Sequence, residues 1–381
     1  MQTTDTSLRN LVIYSVYVRC HTPEGTFRAL EADLDRIRAL GTDMIWLMPI
    51  HPIGQEGRKG SLGCPYSISD YRAVNPAYGT LEDFRHLIDE IHARGMKCII
   101  DVVYNHTSHD SVLLADHPGY FWRKPDGSLG NRFGDWTDVY DLDYRNRDLR
   151  EYQAETLMYW AGMVDGFRCD VASCVPPAFW SYARSRVAEV NPDCFWLAET
   201  VHSSMISEVR KQGLEIWTDN EIYQAFDAEY QYDIWQKFCN IFSGQGTLPE
   251  YLNALNDQLF IYPRNFIKMR FVENHDTPRF ASVCPDEKRR SQWLQFMFFQ
   301  QGPMLIYGGQ EFSCTHTPSL FEQEVFSRSG KDISSDIAQL AAEKKALPHN
   351  AVFEARHLGG NRVEGVYVSG GRVCARREFA L

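Results

Sequence analysis

The chain lacks any long hydrophobic run, and this absence argues against a membrane-spanning helix. None of its apolar runs approaches the ~20 residues that such a helix needs. The first run, LVIYSVYV at 11–18, is short and carries no small-residue cleavage site. We therefore interpret it as a strand rather than a signal peptide, and we predict a cytoplasmic protein with no membrane partner.

Basic residues are outnumbered by acidic ones. The sequence has 39 Lys and Arg against 50 Asp and Glu, a formal net charge of -11, and it shows no basic stripe. This charge argues against nucleic acid or an anionic membrane as a partner. No feature of the sequence indicates an oligomeric state.

Metal-type cysteine spacing is also absent. The ten cysteines form no CxxC pair, and several lie within apolar runs. In a chain of this length they are typical of reduced, small core residues, which agrees with a cytoplasmic location.

The chain does contain a regular alternation of strand-like and helix-like segments. The strand-like segments are nearly continuously apolar, as expected of strands covered on both faces. They are 11–18, 43–50, 98–104, 166–172, 195–199, EIWTD at 215–219, 267–273 and 304–309. Eight such units predict an α/β fold of the (β/α)₈ TIM-barrel type. A doubly wound open sheet is the alternative, although open sheets of eight parallel strands are less common.

Two segments interrupt this alternation. Residues 107–148 form a long Gly-, Asp- and aromatic-rich excursion after the third strand, and residues 349–381 contain short β-type pieces around two Gly-Gly pairs. We predict four parts: 1–106, the first part of the barrel; 107–148, a small inserted domain; 149–348, the second part; and 349–381, a reduced C-terminal β segment.

Polar side chains stand at the ends of several predicted strands. In a barrel of this type, such residues face the active site. They are Asn105 and His106 after the third strand, Arg168 and Asp170 at the fourth, Glu199 at the fifth, and Asn274, His275 and Asp276 at the seventh.

The acids of the fourth and fifth strands suggest a pair of catalytic carboxyl groups. Side chains alternate along a strand, so Arg168 and Asp170 point the same way, and the guanidinium would hold Asp170 ionised. Taken alone, the pair is more typical of a structural salt bridge. Glu199 ends the adjoining strand about 4.8 Å away, however, which predicts two carboxyls near the roughly 5 Å spacing of retaining glycosidases. Asp170 then suits the nucleophile, and Glu199, with a pKa raised by desolvation, suits the proton donor.

A metal site is the competing interpretation of the same cluster. Asp170, Glu199, Asp276, His106 and His275 include typical ligand types, but their spacing has no HxH or HExxH pattern. We therefore expect no metal among the site residues, and we expect the two histidines to hydrogen-bond to sugar hydroxyls.

Four of these motifs resemble the four sequence regions of the α-amylase family of glycoside hydrolases, in order and spacing. They are DVVYNH (101–106), GFRCD (166–170), WLAE (196–199) and FVENHD (271–276). The resemblance implies a retaining enzyme that cleaves α-1,4-glucosidic bonds of starch-type glucans or malto-oligosaccharides. Asp170 matches the nucleophile of the family, Glu199 its general acid/base and Asp276 its transition-state stabiliser.

The resemblance also implies a set of substrate-binding residues. Arg168 matches the arginine beside the nucleophile, and His106 and His275 match histidines that bind the sugar. Tyr66, within GCPYSISDYRAVNPAYGTLEDF (63–84), matches a tyrosine that stacks on the sugar being cleaved. The resemblance requires no cofactor but leaves room for a Ca²⁺ ion held by Asn105 with Asp141 or Asp143.

The chain departs from the family pattern in two places. The inserted segment is short, and the expected C-terminal β-sandwich is reduced to about thirty residues. Phe121, Trp122 and Trp136 in the inserted segment suit either stacking platforms for glucose rings or packing of that segment. Since the family contains other activities, an α-glucanotransferase, an α-1,6-glucosidase and a catalytically silent glucan-binding protein remain alternatives.

Overall fold

The structure, a computed structural model, describes residues 4–133 and 136–381. Eight parallel strands form a sheet of order β10-β1-β2-β3-β6-β7-β8-β9. These strands are β1 (Val12–Val16), β2 (Met44–Leu47), β3 (Lys97–Val102), β6 (Gly166–Cys169), β7 (Phe195–Ala198), β8 (Ala228–Tyr230), β9 (Lys268–Met269) and β10 (Met304–Tyr307). A bridge between Arg270 and Met304 joins the two ends of the sheet, which confirms the predicted barrel.

Helices cover the outside of this barrel. Those within the described ranges are α1 (Val18–His21), α2 (Phe27–Glu31), α3 (Leu34–Ala39), α4 (Leu81–Ala93), α5 (Val112–Asp116), α6 (Arg147–Ala161), α7 (Pro177–Val187), α8 (Ser203–Lys211), α9 (Asp219–Ile222), α10 (Tyr232–Ser243), α11 (Leu248–Ile261), α12 (Phe280–Val283), α13 (Glu287–Phe299) and α14 (Ser334–Lys345). None of them is both long and apolar enough to cross a membrane.

Helix α4 illustrates why these segments are helical. Thr80 and Asp83 form a capping box that satisfies free backbone N–H groups of the first turn. Phe84, Leu87 and Ile91 recur at helical spacing and are buried against the barrel. The chain leaves the helix through Gly95, whose φ of 68° favours glycine.

The predicted sixth strand is wrong. Residues 215–219 form no strand; Ile216 instead packs in a side cluster with Val209 of α8. The sixth barrel strand is β8, whose Glu229 is fully buried and accepts a 2.9 Å hydrogen bond from Lys268 of β9. Glu229 makes this strand hard to recognise in the sequence, because a buried charge is not expected there and the cation that neutralises Glu229 comes from a neighbouring strand.

The inserted segment attaches directly to the carboxyl end of β3. Strand β4 (His106–Ser108) pairs with β5 (Val139–Asp141) in antiparallel fashion, with His106 opposite Asp141. This pairing holds the segment over the end of the barrel where the predicted site residues lie.

The C-terminal residues form an antiparallel sheet of β11 (Val352–Gly359), β12 (Arg362–Ser369) and β13 (Arg372–Ala380). Its two turns use the Gly-Gly pairs 359–360 and 370–371, where all four glycines have positive φ. Phe379 is buried, and the Tyr367 hydroxyl donates a 2.9 Å hydrogen bond to the Phe299 carbonyl at the end of α13. The sheet therefore packs on the outside of the barrel, as the predicted C-terminal β extension requires.

Candidate active site

The two predicted catalytic acids stand at the carboxyl ends of adjacent strands. The Asp170 amide donates to the Val102 carbonyl, and the Glu199 amide donates to the Cys169 carbonyl, each at 2.9 Å. These hydrogen bonds continue the sheet one residue beyond β6 and β7. The ladder therefore fixes both acids at the same face of the barrel.

Arg168 lies at the centre of the site and is fully buried. Its Nη1 donates to Asp170 Oδ1 at 2.9 Å and to Asp101 Oδ1 at 2.8 Å. Its Nη2 lies 2.8 Å from Glu199 Oε1 as an ion pair, without the alignment of a hydrogen bond. Nε donates to the Tyr230 hydroxyl at 3.1 Å. One guanidinium thus brings the two predicted catalytic acids together.

Burial raises the pKa values of both acids by more than the nearby cation lowers them. Burial is the largest cause, and it raises the pKa of Asp170 to about 7 and that of Glu199 to about 8. Arg168 lowers both pKa values, but a single cation faces three buried carboxylates, since Asp101 is also present. The expectation that Arg168 alone keeps Asp170 ionised is therefore wrong, because burial outweighs the pairing. Glu199 is still the acid that holds its proton to higher pH, as a proton donor requires.

The backbone between these acids is strained. Val171 adopts a left-handed conformation with φ 34°, which is rare for a β-branched residue. Its amide donates a 2.8 Å hydrogen bond to Glu199 Oε2. The conformation thus gives Glu199 a second fixed partner in addition to Arg168.

His275 and Tyr66 form a stacked pair beside the acids. Their rings lie 5.5 Å apart at 13°, and the Tyr66 hydroxyl lies 3.0 Å from Asp101 Oδ2 and 2.7 Å from His275 Nε2. Because Asp101 accepts from Tyr66, the tyrosine oxygen accepts from a protonated Nε2. Burial lowers the pKa of His275 to about 4, so the ring is neutral at neutral pH.

Asp276 differs from the other two predicted acids. Its side chain is 40% exposed, and its Oδ2 lies 3.2 Å from His275 Nε2. The carboxylate thus stands at the open side of the site, where a bound molecule can reach it.

A cavity of about 350 Å³ lies beside the two acids and the Tyr66–His275 pair. Its lining includes six predicted site residues, namely Tyr66, His106, Asp170, Glu199, His275 and Asp276. Arg168, the seventh, does not line the cavity but is fully buried and forms ion pairs with both acids. Trp136 also lines the cavity, with its ring 5.3 Å from that of His106, whereas Phe121 is buried in the hydrophobic core.

Several residues of the site were not predicted from the sequence. Asp101 contacts both Arg168 and Tyr66, and it stands opposite Arg168 in the pairing of β3 with β6. A single charge within the apolar run CIIDVVY was the available signal. Lys59 and Asp138 line the cavity from two separate loops and form a 3.1 Å ion pair, which no local pattern reveals.

Two of the predicted calcium ligands lie together, and the third lies apart. Asn105 and Asp141 both face Arg132, whereas Asp143 forms a 2.7 Å ion pair with Arg145. Across residues 4–133 and 136–381, no three His, Cys, Asp or Glu side chains are grouped as a metal site would need.

Fold and site together define a (β/α)₈-barrel protein with paired acids around a buried arginine at the carboxyl ends of its strands. The family model described as "Alpha amylase, catalytic domain" matches residues 4–125 and 133–349. The chain belongs to this family.

Curated relatives match a large part of the chain. An alpha-1,4-glucan:maltose-1-phosphate maltosyltransferase of Myxococcus xanthus is 30% identical over 252 residues, covering 60% of this chain and 35% of that protein. An intracellular maltogenic amylase of Bacillus subtilis is 28% identical over 306 residues, covering 75% of this chain and 48% of that protein. The chain thus spans at most about half the length of these two relatives.

Solved structures match over nearly the whole chain. An alpha-amylase from Lactobacillus plantarum has a TM-score of 0.91 at 43% identity, covering 95% of this chain and 89% of that one. A noncanonic maltogenic alpha-amylase from Thermotoga neapolitana has a TM-score of 0.85 at 35% identity, covering 96% and 84%.

Proposed function

We propose that this protein is a retaining glycoside hydrolase that cleaves α-1,4-glucosidic bonds of starch-type glucans or malto-oligosaccharides. The observation that carries the proposal is the contact of Asp170 and Glu199 with one buried guanidinium, at the wall of one cavity. This arrangement provides two carboxyl groups of different pKa beside a space for the scissile bond.

The positions of the two acids, which share one guanidinium at the cavity wall, support a reaction in two steps. Asp170, ionised, attacks the anomeric carbon, while Glu199 donates its proton to the departing glycosidic oxygen. The sugar is then bound to Asp170 as an ester, and Glu199 is ionised. Glu199 next removes a proton from water, whose oxygen attacks the same carbon and releases Asp170. Asp276, at the open side, supplies negative charge near the positively charged transition state.

Tyr66, His106 and His275 are the proposed sugar-binding residues. They line the cavity beside the acids, and their neutral polar groups suit hydroxyl partners. The size of the cavity, about 350 Å³, suits short glucan segments near the cleaved bond. The names of the amylase relatives support this substrate class.

Transfer to a sugar or phosphate acceptor is a second candidate. The relative from Myxococcus xanthus is named as a maltosyltransferase, and transfer shares the first chemical step with hydrolysis. The two activities differ only in whether water or another acceptor attacks the sugar bound to Asp170.

A cytoplasmic location is part of the proposal. The ten cysteines are free thiols in the structure, and the relative from Bacillus subtilis is named as intracellular. The proposed binding partner is the substrate itself, an α-glucan or malto-oligosaccharide.

Sugar release from maltotriose tests the proposal. We expect the wild-type protein to release glucose and maltose, and we expect Asp170→Asn and Glu199→Gln each to lower kcat by several orders of magnitude. Glu208→Gln, the same change on the exposed side of α8, is the control and should retain wild-type turnover.

The products separate the candidates. Longer oligosaccharides, or maltosyl phosphate when phosphate is added, would identify transfer. Cleavage of isomaltose but not of maltotriose would identify an α-1,6-glucosidase. Sugar binding without turnover would identify a silent binding protein, and wild-type turnover in either acid variant would refute the assigned roles.

A further inference from the structure

The guanidinium of Arg132 contacts Asn105 and Asp141, two of the residues that the family resemblance suggests as calcium ligands. Its Nε donates to Asp141 Oδ2 at 2.9 Å, and its Nη2 donates to Asn105 Oδ1 at 3.2 Å and to the Leu142 carbonyl at 3.3 Å. The Arg132 amide also donates to Asp141 Oδ2 at 2.8 Å. Asp141 is fully buried, so this cation neutralises a charge that has no access to water.

These residues do not fit a calcium ion as they stand. Calcium takes about six to eight oxygen ligands. The oxygens of Asn105, Asp141 and Leu142 are already hydrogen-bonded to a permanent cation. A calcium ion bound to the same oxygens would lie against the guanidinium, and the two positive charges would repel each other.

Asn105 connects Arg132 to the sugar-binding residue His106. Because an arginine only donates, the Asn105 Oδ1 faces Arg132, which leaves Nδ2 for Asp141 Oδ1 at 3.3 Å and His106 Nδ1 at 3.1 Å. An amide nitrogen also only donates, so His106 Nδ1 accepts and the ring proton lies on Nε2. The chain of contacts thus sets which nitrogen of His106 can donate a hydrogen bond.

We propose that Arg132 is a positioning residue that takes the place of a calcium ion. It joins the inserted segment to the end of β3, orients His106 through Asn105, and makes the protein independent of calcium. The effect on sugar turnover rests on the proposed function, whereas the calcium independence does not.

Thermal unfolding of the purified protein tests calcium independence without any activity measurement. We expect the same Tm in excess EDTA, after dialysis, and with added CaCl₂. A Tm that falls in EDTA and returns with calcium would overturn the proposal, even if the protein proved to have no glycosidase activity.

Substitutions test the role of Arg132 itself. We expect Arg132→Met to lower the Tm and Arg132→Lys, which keeps the charge but not the planar fork, to restore part of it. Arg145→Met is the matched control, because Arg145 pairs with Asp143 in the same part of the chain but its side chain is 80% exposed. Wild-type Tm in Arg132→Met would overturn the proposal.

Enzyme kinetics test separately whether Arg132 positions His106. Measured well below the Tm, kcat/KM for maltotriose should fall about tenfold in Arg132→Met, on the order of one lost hydrogen bond to the sugar. In a His106→Ala background, the same substitution should have little further effect. A full additional loss in that background, or unchanged kinetics in Arg132→Met alone, would overturn the positioning role.

Discussion

Replacing Asp101 with asparagine should shift the pH dependence of the proposed activity and leave the fold intact. Asp101 accepts hydrogen bonds from Arg168 Nη1 and the Tyr66 hydroxyl. In Asp101→Asn the side-chain oxygen can still accept from Arg168, and the new amide can donate to the tyrosine oxygen. The main change is therefore the loss of one negative charge beside Asp170.

The size of the pKa shift can be worked out from the distance between the two carboxylates, because Arg168 Nη1 donates to both. Asp101 Oδ1 and Asp170 Oδ1 lie 2.8 and 2.9 Å from Nη1, so the two oxygens are at most about 6 Å apart. Two like charges at that distance repel by about 3 kcal/mol at an effective dielectric constant near 20, or about two pH units. Burial raises the pKa of Asp101 to about 6, so Asp101 is mostly ionised when Asp170 titrates near pH 7. We therefore expect a shift of up to about two pH units.

The sign of the shift is fixed by the required charge state. In the proposed mechanism Asp170 must be ionised to attack, and Asp101 is one of the groups that raise its pKa. Without that charge the pKa of Asp170 falls, and the acid limb of the kcat/KM profile moves to lower pH. The assay is kcat/KM for maltotriose from pH 4 to pH 9 in both proteins.

A remote substitution of the same kind provides the control. Asp227 is also buried and paired, accepting from Arg184 at 2.7 Å and from the Trp196 amide at 3.0 Å. Asp227→Asn should lower the Tm and leave the pH profile in place. An acid limb that stays fixed or moves upward in a folded Asp101→Asn protein would refute the electrostatic reasoning.

Three further predictions follow from the same structure. First, kcat/KM of the wild-type protein should be bell-shaped, falling below pH about 7 as Asp170 takes up a proton and above pH about 8 as Glu199 loses one; a flat profile between pH 5 and 9 would contradict it. Second, the folded-state pKa of Asp170 is raised, so ionising Asp170 lowers the free energy of unfolding, and this loss grows as the pH rises from about 4 to about 7. Asp170→Asn should therefore be more stable than the wild type at pH 8, by up to about 4 kcal/mol, and no more stable below pH 4. Urea unfolding at the two pH values measures this difference. Third, Phe379→Ala should cost about 3–5 kcal/mol in urea unfolding, because Phe379 is buried against Phe296 and Phe299 of α13, whereas Val373→Ala, 56% exposed, should cost little; equal costs would mean that the C-terminal sheet does not pack on the barrel.

The barrel could be predicted because most of its strands are recognisable from a short stretch of sequence. Runs such as MIWL of β2 and MLIY of β10 are apolar throughout, since helices cover one face and the barrel interior the other. Strand β8 was missed because Glu229 carries a charge whose partner, Lys268, lies 39 residues away. Periodicity detects burial along one segment but not the pairing that permits a buried charge.

The residues of the candidate site also differ in whether local sequence or distant contacts reveal them. Asp170, Glu199 and Asp276 could be predicted to lie near one another because each stands at or close to the end of a predicted strand, and strand ends meet at one face of a barrel. Asp101 and Arg132 were missed because their importance lies in contacts across the fold, with Arg168 in one case and Asn105 in the other. The pKa of Asp170 was misjudged for a related reason, since the sequence showed its cation but not its burial.

Trapping of the sugar–enzyme ester tests the central claim most directly. Glu199→Gln incubated with α-maltosyl fluoride, whose leaving group needs no protonation, should form the ester but lack the base that hydrolyses it. Mass spectrometry of the digested protein should then find one maltosyl group on the peptide that contains Asp170. A maltosyl group on any other residue, or release of maltose from the fluoride at an undiminished steady rate without any adduct, would contradict the account.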